Sequence, residues 1–273
     1  MAVPAGPQIS VVLPAFNERQ SLPVAVERAL DVLPGIVDTF EVIIVDDGST
    51  DGTGDVARAL ISRHHPALRL AEHRLNRGYG AAIRTGFGHA GGRLLFYTDA
   101  DNQFDLADLE HFMPLIEHYD AVVGFRVYRY DSVLRSILSW IYNLIVRILF
   151  RVSVRDVDCA FKLFRREVID AIVIESDDFF VDAELVAKTR RWNFRLLEKG
   201  VRHYPRMAGE TTVRASDIPE TLRRIGLMFK RIHFPGRRHL IELADPDSPM
   251  RAIGAEVLPQ RTERSAADAA AEL

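Results

Sequence analysis

Short apolar runs alternate with amphipathic stretches through the first 125 residues of the chain. Ile9-Ser-Val-Val-Leu13 is such a run, closed by Pro14. Phe40-Glu-Val-Ile-Ile-Val45 is a second, followed by the turn Asp46-Asp-Gly-Ser-Thr-Asp-Gly52. Residues 68–70, 94–97 and 121–124 are three more, and Thr98-Asp-Ala-Asp101 closes the run at 94–97. The intervening segments carry helical periodicity over 21–33, 53–63, 81–89 and 106–118. Ser21 can cap the first helix, with Pro23 tolerated in its first turn, and Asp105 is the better cap for the last. Strands alternating with helices predict an α/β fold: a Rossmann-like, mostly parallel central sheet flanked by helices.

Beyond Phe125 the pattern changes. A long helix is expected over 132–152, then a mixed region to about residue 204, then a second amphipathic helix over 218–232. After Asp245 come Pro246, Pro249 and Pro259 and an Ala/Glu/Asp-rich stretch. The chain therefore divides into a main α/β domain over 1–215, a basic amphipathic helical extension over 216–244, and an acidic tail over 245–273. Low apolar content predicts disorder in that tail.

With 273 residues, 48% of them hydrophobic and 27% charged, the chain has material for a real core, which excludes global disorder and fibrous rods. The single Cys159 excludes an intramolecular disulfide and a cysteine-rich zinc site. A spanning helix needs about 20 apolar residues. The best stretch, 136–146, has eleven residues and ends at Arg147, and the N-terminus shows no basic region followed by an apolar one. The expectation is a cytoplasmic protein, peripheral on the cytoplasmic face of a membrane.

Charge sharpens this picture. The net value of −3 hides nine Lys/Arg against three Asp between residues 125 and 166, a surplus of six. Residues 223–239 hold six Lys/Arg and no acid, while the last 32 residues, 242–273, hold seven acids against three bases. Blocks of this kind suit a polyanionic partner. No aromatic-basic interleaving of a nucleic-acid platform is visible, so nucleic acid is not expected.

In open α/β sheets ligands bind beyond the carboxyl ends of the strands. Here those ends carry Asn17-Glu18, Asp46-Asp47 and Asp99-Ala-Asp101. Asp99 and Asp101 can hold a hard divalent cation through oxygen, with Gln103 as a third ligand; as turn and cap residues they would need no ligand at all. Asp46 and Asp47 can accept hydrogen bonds from a nucleobase or ribose. Asn76-Arg-Gly-Tyr-Gly-Ala-Ala82 lets backbone approach a ligand, but Ile83 stands where a dinucleotide fingerprint needs its last glycine.

Leu13-Pro-Ala-Phe-Asn-Glu18, Val45-Asp-Asp-Gly-Ser-Thr-Asp51, Asn76-Arg-Gly-Tyr-Gly-Ala-Ala82 and Asp99-Ala-Asp-Asn-Gln103 stand in the order seen in family 2 glycosyltransferases. The chain resembles most the dolichyl- or polyprenyl-phosphate mannose (or glucose) synthase branch, more weakly through Asp156-Val-Asp-Cys-Ala-Phe-Lys-Leu-Phe-Arg-Arg166 to about Gly209. The resemblance implies a GT-A fold, inversion at the sugar carbon, Mg²⁺ or Mn²⁺, and a GDP-mannose or UDP-glucose donor. It implies nucleotide contacts from Pro14, Ala15, Asn17, Glu18, Asp46, Asp47, Arg77, Gly78 and Ala100. Asp99, Asp101 and Gln103 match the metal and donor-phosphate cluster, Arg206 the late donor-side element, and Arg126, Arg135 and Ser139 the acceptor contacts. Thr211-Thr212-Val213 departs from the usual Ser-Lys pair, and the absence of QxxRW argues against polymerisation.

Arg135, Ser139, Asn143, Arg147 and Arg151 recur every four residues, with Ile137, Ile141, Leu144, Ile145, Ile148 and Val152 on the opposite side. In the later helix Ile218, Leu222, Ile225, Phe229 and Ile232 share a face. Such helices suit an anionic membrane surface carrying a polyprenyl phosphate, although core packing also explains an apolar stripe. Two other readings stand beside this one: a transferase acting on a soluble hydroxyl acceptor, and a non-catalytic nucleotide-sugar-binding subunit that recruits a membrane-protein partner.

Overall fold

The computed structural model describes residues 6–64, 66–128, 133–205 and 218–233. In chain order the elements are β1 (Ile9–Ala15), α1 (Leu22–Val32), β2 (Phe40–Asp46), α2 (Thr53–His64), β3 (Leu68–Glu72), α3 (Tyr79–His89), β4 (Leu94–Thr98), α4 (Met113–Ile116) and β5 (Ala121–Arg126). They continue with α5 (Val133–Phe150), β6 (Phe161–Arg165), α6 (Arg166–Asp170), α7 (Val181–Arg191), β7 (Leu196–Val201) and α8 (Ile218–His233). One seven-stranded sheet runs in the order β3-β2-β1-β4-β6-β5-β7. β1 pairs in parallel with β2 and β4, β2 with β3, and β5 with β7. β6 runs antiparallel between β4 and β5.

β1 is buried along its whole length, as a strand covered on both faces must be. Its residues, with those of β2 and β4 and the inner faces of α1 and α3, form the main core. A second cluster joins Val123 of β5 to Val146 and Phe150 of α5, Ala183 and Val186 of α7, and Ile225 and Met228 of α8.

Two local expectations change and one holds. The helix expected over 106–118 splits into a 3₁₀ turn (Leu106–His111) and the short α4, because Pro114 lacks the amide that a continuous helix would use. Asp105 does cap that turn, accepting from the Ala107 amide at 3.1 Å. Ser21 does not cap α1: its hydroxyl bonds the carboxylate of Glu18 instead.

The apolar stripes of α5 and α8, which suit either a membrane surface or a core, are placed differently. Asn143, in the polar stripe, is buried; its amide donates to the Ser139 carbonyl at 2.8 Å and accepts from the Val157 amide at 2.8 Å. Trp140, Ile141, Leu144 and Ile148 point outward. In α8 the relation is reversed, since Ile225, Met228 and Phe229 pack into the second cluster.

Candidate active site

Because β2, β1 and β4 are neighbours and parallel, their carboxyl ends meet on one rim. Ala15 lies opposite Asp46 in register. The loops that leave these strands are laced together. Asn17, at φ 57°, donates its amide to Ser49 Oγ at 2.9 Å and accepts from the Thr50 amide at 2.9 Å. The Glu18 amide donates to Thr53 Oγ1 at 2.9 Å. Asp46 accepts from the Ser49 amide at 3.1 Å, closing the turn at Gly48. Asn17, Glu18 and Asp46 thus shape the rim; Pro14 and Ala15 end the strand beneath it.

Asp47 is buried and saturated. Its carboxylate pairs with His73 Nδ1 at 2.6 Å and accepts from the amides of Arg77 at 2.9 Å and Gly78 at 2.8 Å. It therefore fixes the 73–78 loop, while the Arg77 side chain stays exposed. Gly78 sits at φ 99°, and any β-carbon there would collide with the Asp177 carbonyl. Replacing Asp47 with alanine should release this loop. The expected loss of nucleoside-diphosphate affinity is about 1–3 kcal/mol. Titration calorimetry with GDP and UDP checks it, and unchanged affinity for both would remove Asp47 from the site's framework.

At the end of β4, Asp99 accepts from the Tyr79 hydroxyl at 2.7 Å. Asp101 is buried and accepts from the Gln103 amide at 3.1 Å, with Ala100 buried between the two carboxylates. Burial, then the charge of Asp101, push the Asp99 carboxyl up to about 8. A buried carboxyl raised by burial and by a neighbouring carboxylate sits in an environment that a cation would relieve. Gln103 donates its side-chain amide to the Tyr204 carbonyl at 3.0 Å, which leaves its amide oxygen for a cation. The residues fit a divalent metal.

Behind this rim lies a buried polar network. Lys162, fully buried on β6, bonds Asp182 of α7 and donates to the Cys159 carbonyl at 2.7 Å; Tyr97 donates to the same Asp182. Arg126 grips both oxygens of Asp156 at 2.6 Å. Although burial opposes its charge, the hydrogen bonds and charge of Asp156 hold that guanidinium firmly protonated. Arg126 is thus already engaged, and Ser139 lends its carbonyl to Asn143. Arg135 belongs to α5. Arg206, Gly209, Thr211, Thr212 and Val213 lie outside the described residues, as does the tail over 245–273.

Several members of this site carry no sequence signal of their own. His73 and Asp182 stand outside every motif, Lys162 is an unremarked position within the Asp156–Arg166 stretch, and Asp182 stands 85 positions from Tyr97. Phe16, exposed beside the Asp46 turn, and Tyr79 lie inside motifs that were singled out, yet only their placement shows the flat ring at the rim and the bond to Asp99.

The family model for glycosyl transferase family 2 matches residues 10–173, which include every one of these strand ends. The chain belongs to that family. Among curated relatives, glycosyltransferase AglD of Haloferax volcanii is 34% identical over 229 residues, 78% of this chain and 35% of AglD. Dodecaprenyl-phosphate galacturonate synthase of Rhizobium johnstonii is 36% identical over 168 residues, 60% of this chain and 50% of that enzyme. This family member thus spans half or less of the length of the two. In fold it is similar to glucosyl-3-phosphoglycerate synthase from Mycobacterium tuberculosis, solved with Mn²⁺ and UDP. The TM-score is 0.62 and the identity 19%, over 85% of this chain and 81% of the other. Mannosyltransferase PcManGT from Pyrobaculum calidifontis, solved with GDP-Man and Mn²⁺, gives a TM-score of 0.56 at 19% identity over 93% and 80%. The sheet and flanking helices are those of the GT-A fold.

Proposed function

We propose that this family 2 member is an inverting, metal-dependent hexosyltransferase that moves a sugar from a nucleotide sugar to a polyprenyl phosphate at a membrane surface. One observation carries the reading: Asp99 and Asp101 crowd one rim, beside loops braced by Asp46 and Asp47, where a cation and a diphosphate would sit. Solved structures of the same fold were obtained with UDP or GDP-Man and Mn²⁺, and a curated relative bears the name dodecaprenyl-phosphate galacturonate synthase; both support the reading.

Asp99, Asp101 and the Gln103 amide oxygen would hold Mg²⁺ or Mn²⁺, which when bound supplies charge stabilisation to the departing diphosphate. An acceptor phosphate oxygen forms a bond to the anomeric carbon while the bond from that carbon to the diphosphate breaks, and the nucleoside diphosphate leaves with the electron pair. The acceptor is already an anion, so no base need take a proton. The Asp47-held loop and the exposed Phe16 frame the base and ribose. Arg126, oriented by Asp156, and Arg135 and Ser139 of α5 are the acceptor-side groups.

The outward stripe of α5 suits the lipid part of that acceptor. Trp140 is 64% exposed and Ile148 67%, with Ile141 and Leu144 beside them and Arg147 exposed next to Ile148. No helix among the described residues is long and apolar enough to cross a membrane. The fit is to a helix lying in the interface, on the cytoplasmic face where nucleotide sugars are made available. Binding to anionic vesicles should weaken as salt rises, since each basic residue near the surface contributes roughly 1 kcal/mol that ions screen. Trp140→Glu with Ile148→Glu should abolish co-sedimentation; vesicle binding by that double variant equal to the unaltered chain would remove α5 from the interface.

The function itself is tested by incubating the protein with radiolabelled UDP-glucose, GDP-mannose and other nucleotide sugars, undecaprenyl phosphate, and Mn²⁺, Mg²⁺ or EDTA. The expected product is a labelled polyprenyl-phosphate sugar formed only with metal. Label appearing on a soluble hydroxyl acceptor instead would overturn the acceptor, and metal-dependent donor binding without any transfer would point to a non-catalytic subunit.

A further inference from the structure

Two strand ends of the rim are joined through α3. Asp47 follows β2 and Asp99 follows β4, with β1 between those strands. Asp47 holds the amides of Arg77 and Gly78, the two residues that precede α3. His73 extends the same grip into the helix, bridging the Asp47 carboxylate at 2.6 Å and Thr85 Oγ1 at 2.9 Å. The first residue of α3 is Tyr79, and its hydroxyl donates to Asp99 Oδ1 at 2.7 Å. Asp47 thus grips the chain on both sides of a residue that reaches the metal carboxylate.

The helix has little freedom to carry this phenol elsewhere. Its Gly80 and Ala81 amides donate to the Asp177 carbonyl at 2.9 and 3.3 Å. Further along, Arg84 bonds the Asp177 carboxylate at 2.5 Å and the Ile174 carbonyl at 3.2 Å. At Gly86 the helix lies so close to β1 that a β-carbon would collide with the Val12 side chain. The first-turn amides are therefore spent on protein, and what the start of α3 delivers to the rim is the Tyr79 hydroxyl.

Asp99 is half-buried, and its carboxylate has two oxygens to place. The bond from Tyr79 fixes one of them and leaves Oδ2, which no donor among the described residues bonds, for a cation. Groups behind a metal ligand orient it, and losing one typically lowers metal affinity about 10–100-fold. Here the orienting group is itself held from the nucleotide side, so the two halves of the site depend on one another.

We propose that Tyr79 is a positioning residue for the metal, orienting Asp99 and carrying to it the order of the Asp47-held loop. The inference deepens the metal-dependent transferase reading and rests on it. It gives Asp47 an effect on a cation that it does not touch.

The test is Mn²⁺ binding to the full chain, read from the spin-resonance signal of free Mn²⁺, in Tyr79→Phe, Asp47→Ala and the double variant. Tyr79→Phe should bind Mn²⁺ about tenfold more weakly or worse. Asp47→Ala should weaken binding severalfold. The double variant should be no weaker than Tyr79→Phe alone, since the effect of Asp47 passes through the phenol. The same order is expected with UDP present. Unchanged or tighter Mn²⁺ binding in Tyr79→Phe would overturn the positioning role. Losses that simply add in the double variant, or no loss in Asp47→Ala, would overturn the link to the loop. Melting curves in EDTA separate orientation from folding. Tyr79→Phe should lose no more than the few degrees that one hydrogen bond contributes, and a larger fall in Tm would assign the phenol to the fold and overturn the inference. If the unaltered chain binds no Mn²⁺, either alone or with UDP or GDP, the metal-dependent reading itself falls.

Discussion

Asp101→Ala should lower the rate of sugar transfer by roughly 10²–10³-fold or more while the protein remains folded. The side chain sits at the edge of the core and accepts from the Gln103 amide across a local turn, so its removal leaves both hydrophobic clusters intact. Asp99→Asn should be as inactive but melt at an unchanged or higher temperature without metal, because it removes a buried charge that burial first, and then the charge of Asp101, disfavour, pushing the carboxyl up to about 8. The same sign holds for pH: a carboxyl raised in this way favours the fold at low pH and loses that contribution as pH rises toward 8. Initial rates with a labelled donor, paired with melting curves for each variant, check both statements. Full activity after exhaustive EDTA treatment would sink the metal's role and with it the meaning given to the pair.

Lys162→Met should be the most damaging single change to stability. Lys162 is fully buried, its ammonium bonded to Asp182 and to the Cys159 carbonyl. Removing it strands the Asp182 carboxylate in the interior with Tyr97 as its remaining bonded partner among those described. Breaking a buried ion pair from one side typically costs about 3–5 kcal/mol. At roughly 2–4 °C per kcal/mol for a chain of this size, the melting temperature should fall by about 6–20 °C. A double change, Lys162→Met with Asp182→Leu, should recover much of that loss, since two apolar groups of similar volume leave no orphan charge. Denaturant titrations of the three proteins decide it; a single variant as stable as the unaltered chain would show that the pair contributes little to the fold. Asp99 feels both Asp182 and Lys162, so the pair also sets the field behind the rim.

The strands of the first half and their acidic ends were legible because they are local. An apolar run such as 40–45 has few alternatives to a covered strand, and a carboxylate at its end must reach the rim wherever the strand is parallel to its neighbours. That much of the fold, and the grouping of Asp46, Asp47, Asp99 and Asp101, followed from residue order and periodicity. Three things did not follow. Apolar strands look alike whichever way they run, so the antiparallel β6 between β4 and β5 became visible only in the sheet. An amphipathic helix reads the same whether its apolar stripe faces core or solvent; α5 buries Asn143 because the Val157 amide needs an acceptor, which turns Trp140 and Ile148 outward. Buried polar groups, finally, choose partners by proximity in space. Asp47 spends its carboxylate on residues 26 to 31 positions away, and Lys162 finds Asp182 across 20. Sequence fixes which groups must be satisfied, whereas only the folded chain determines which neighbours can satisfy them.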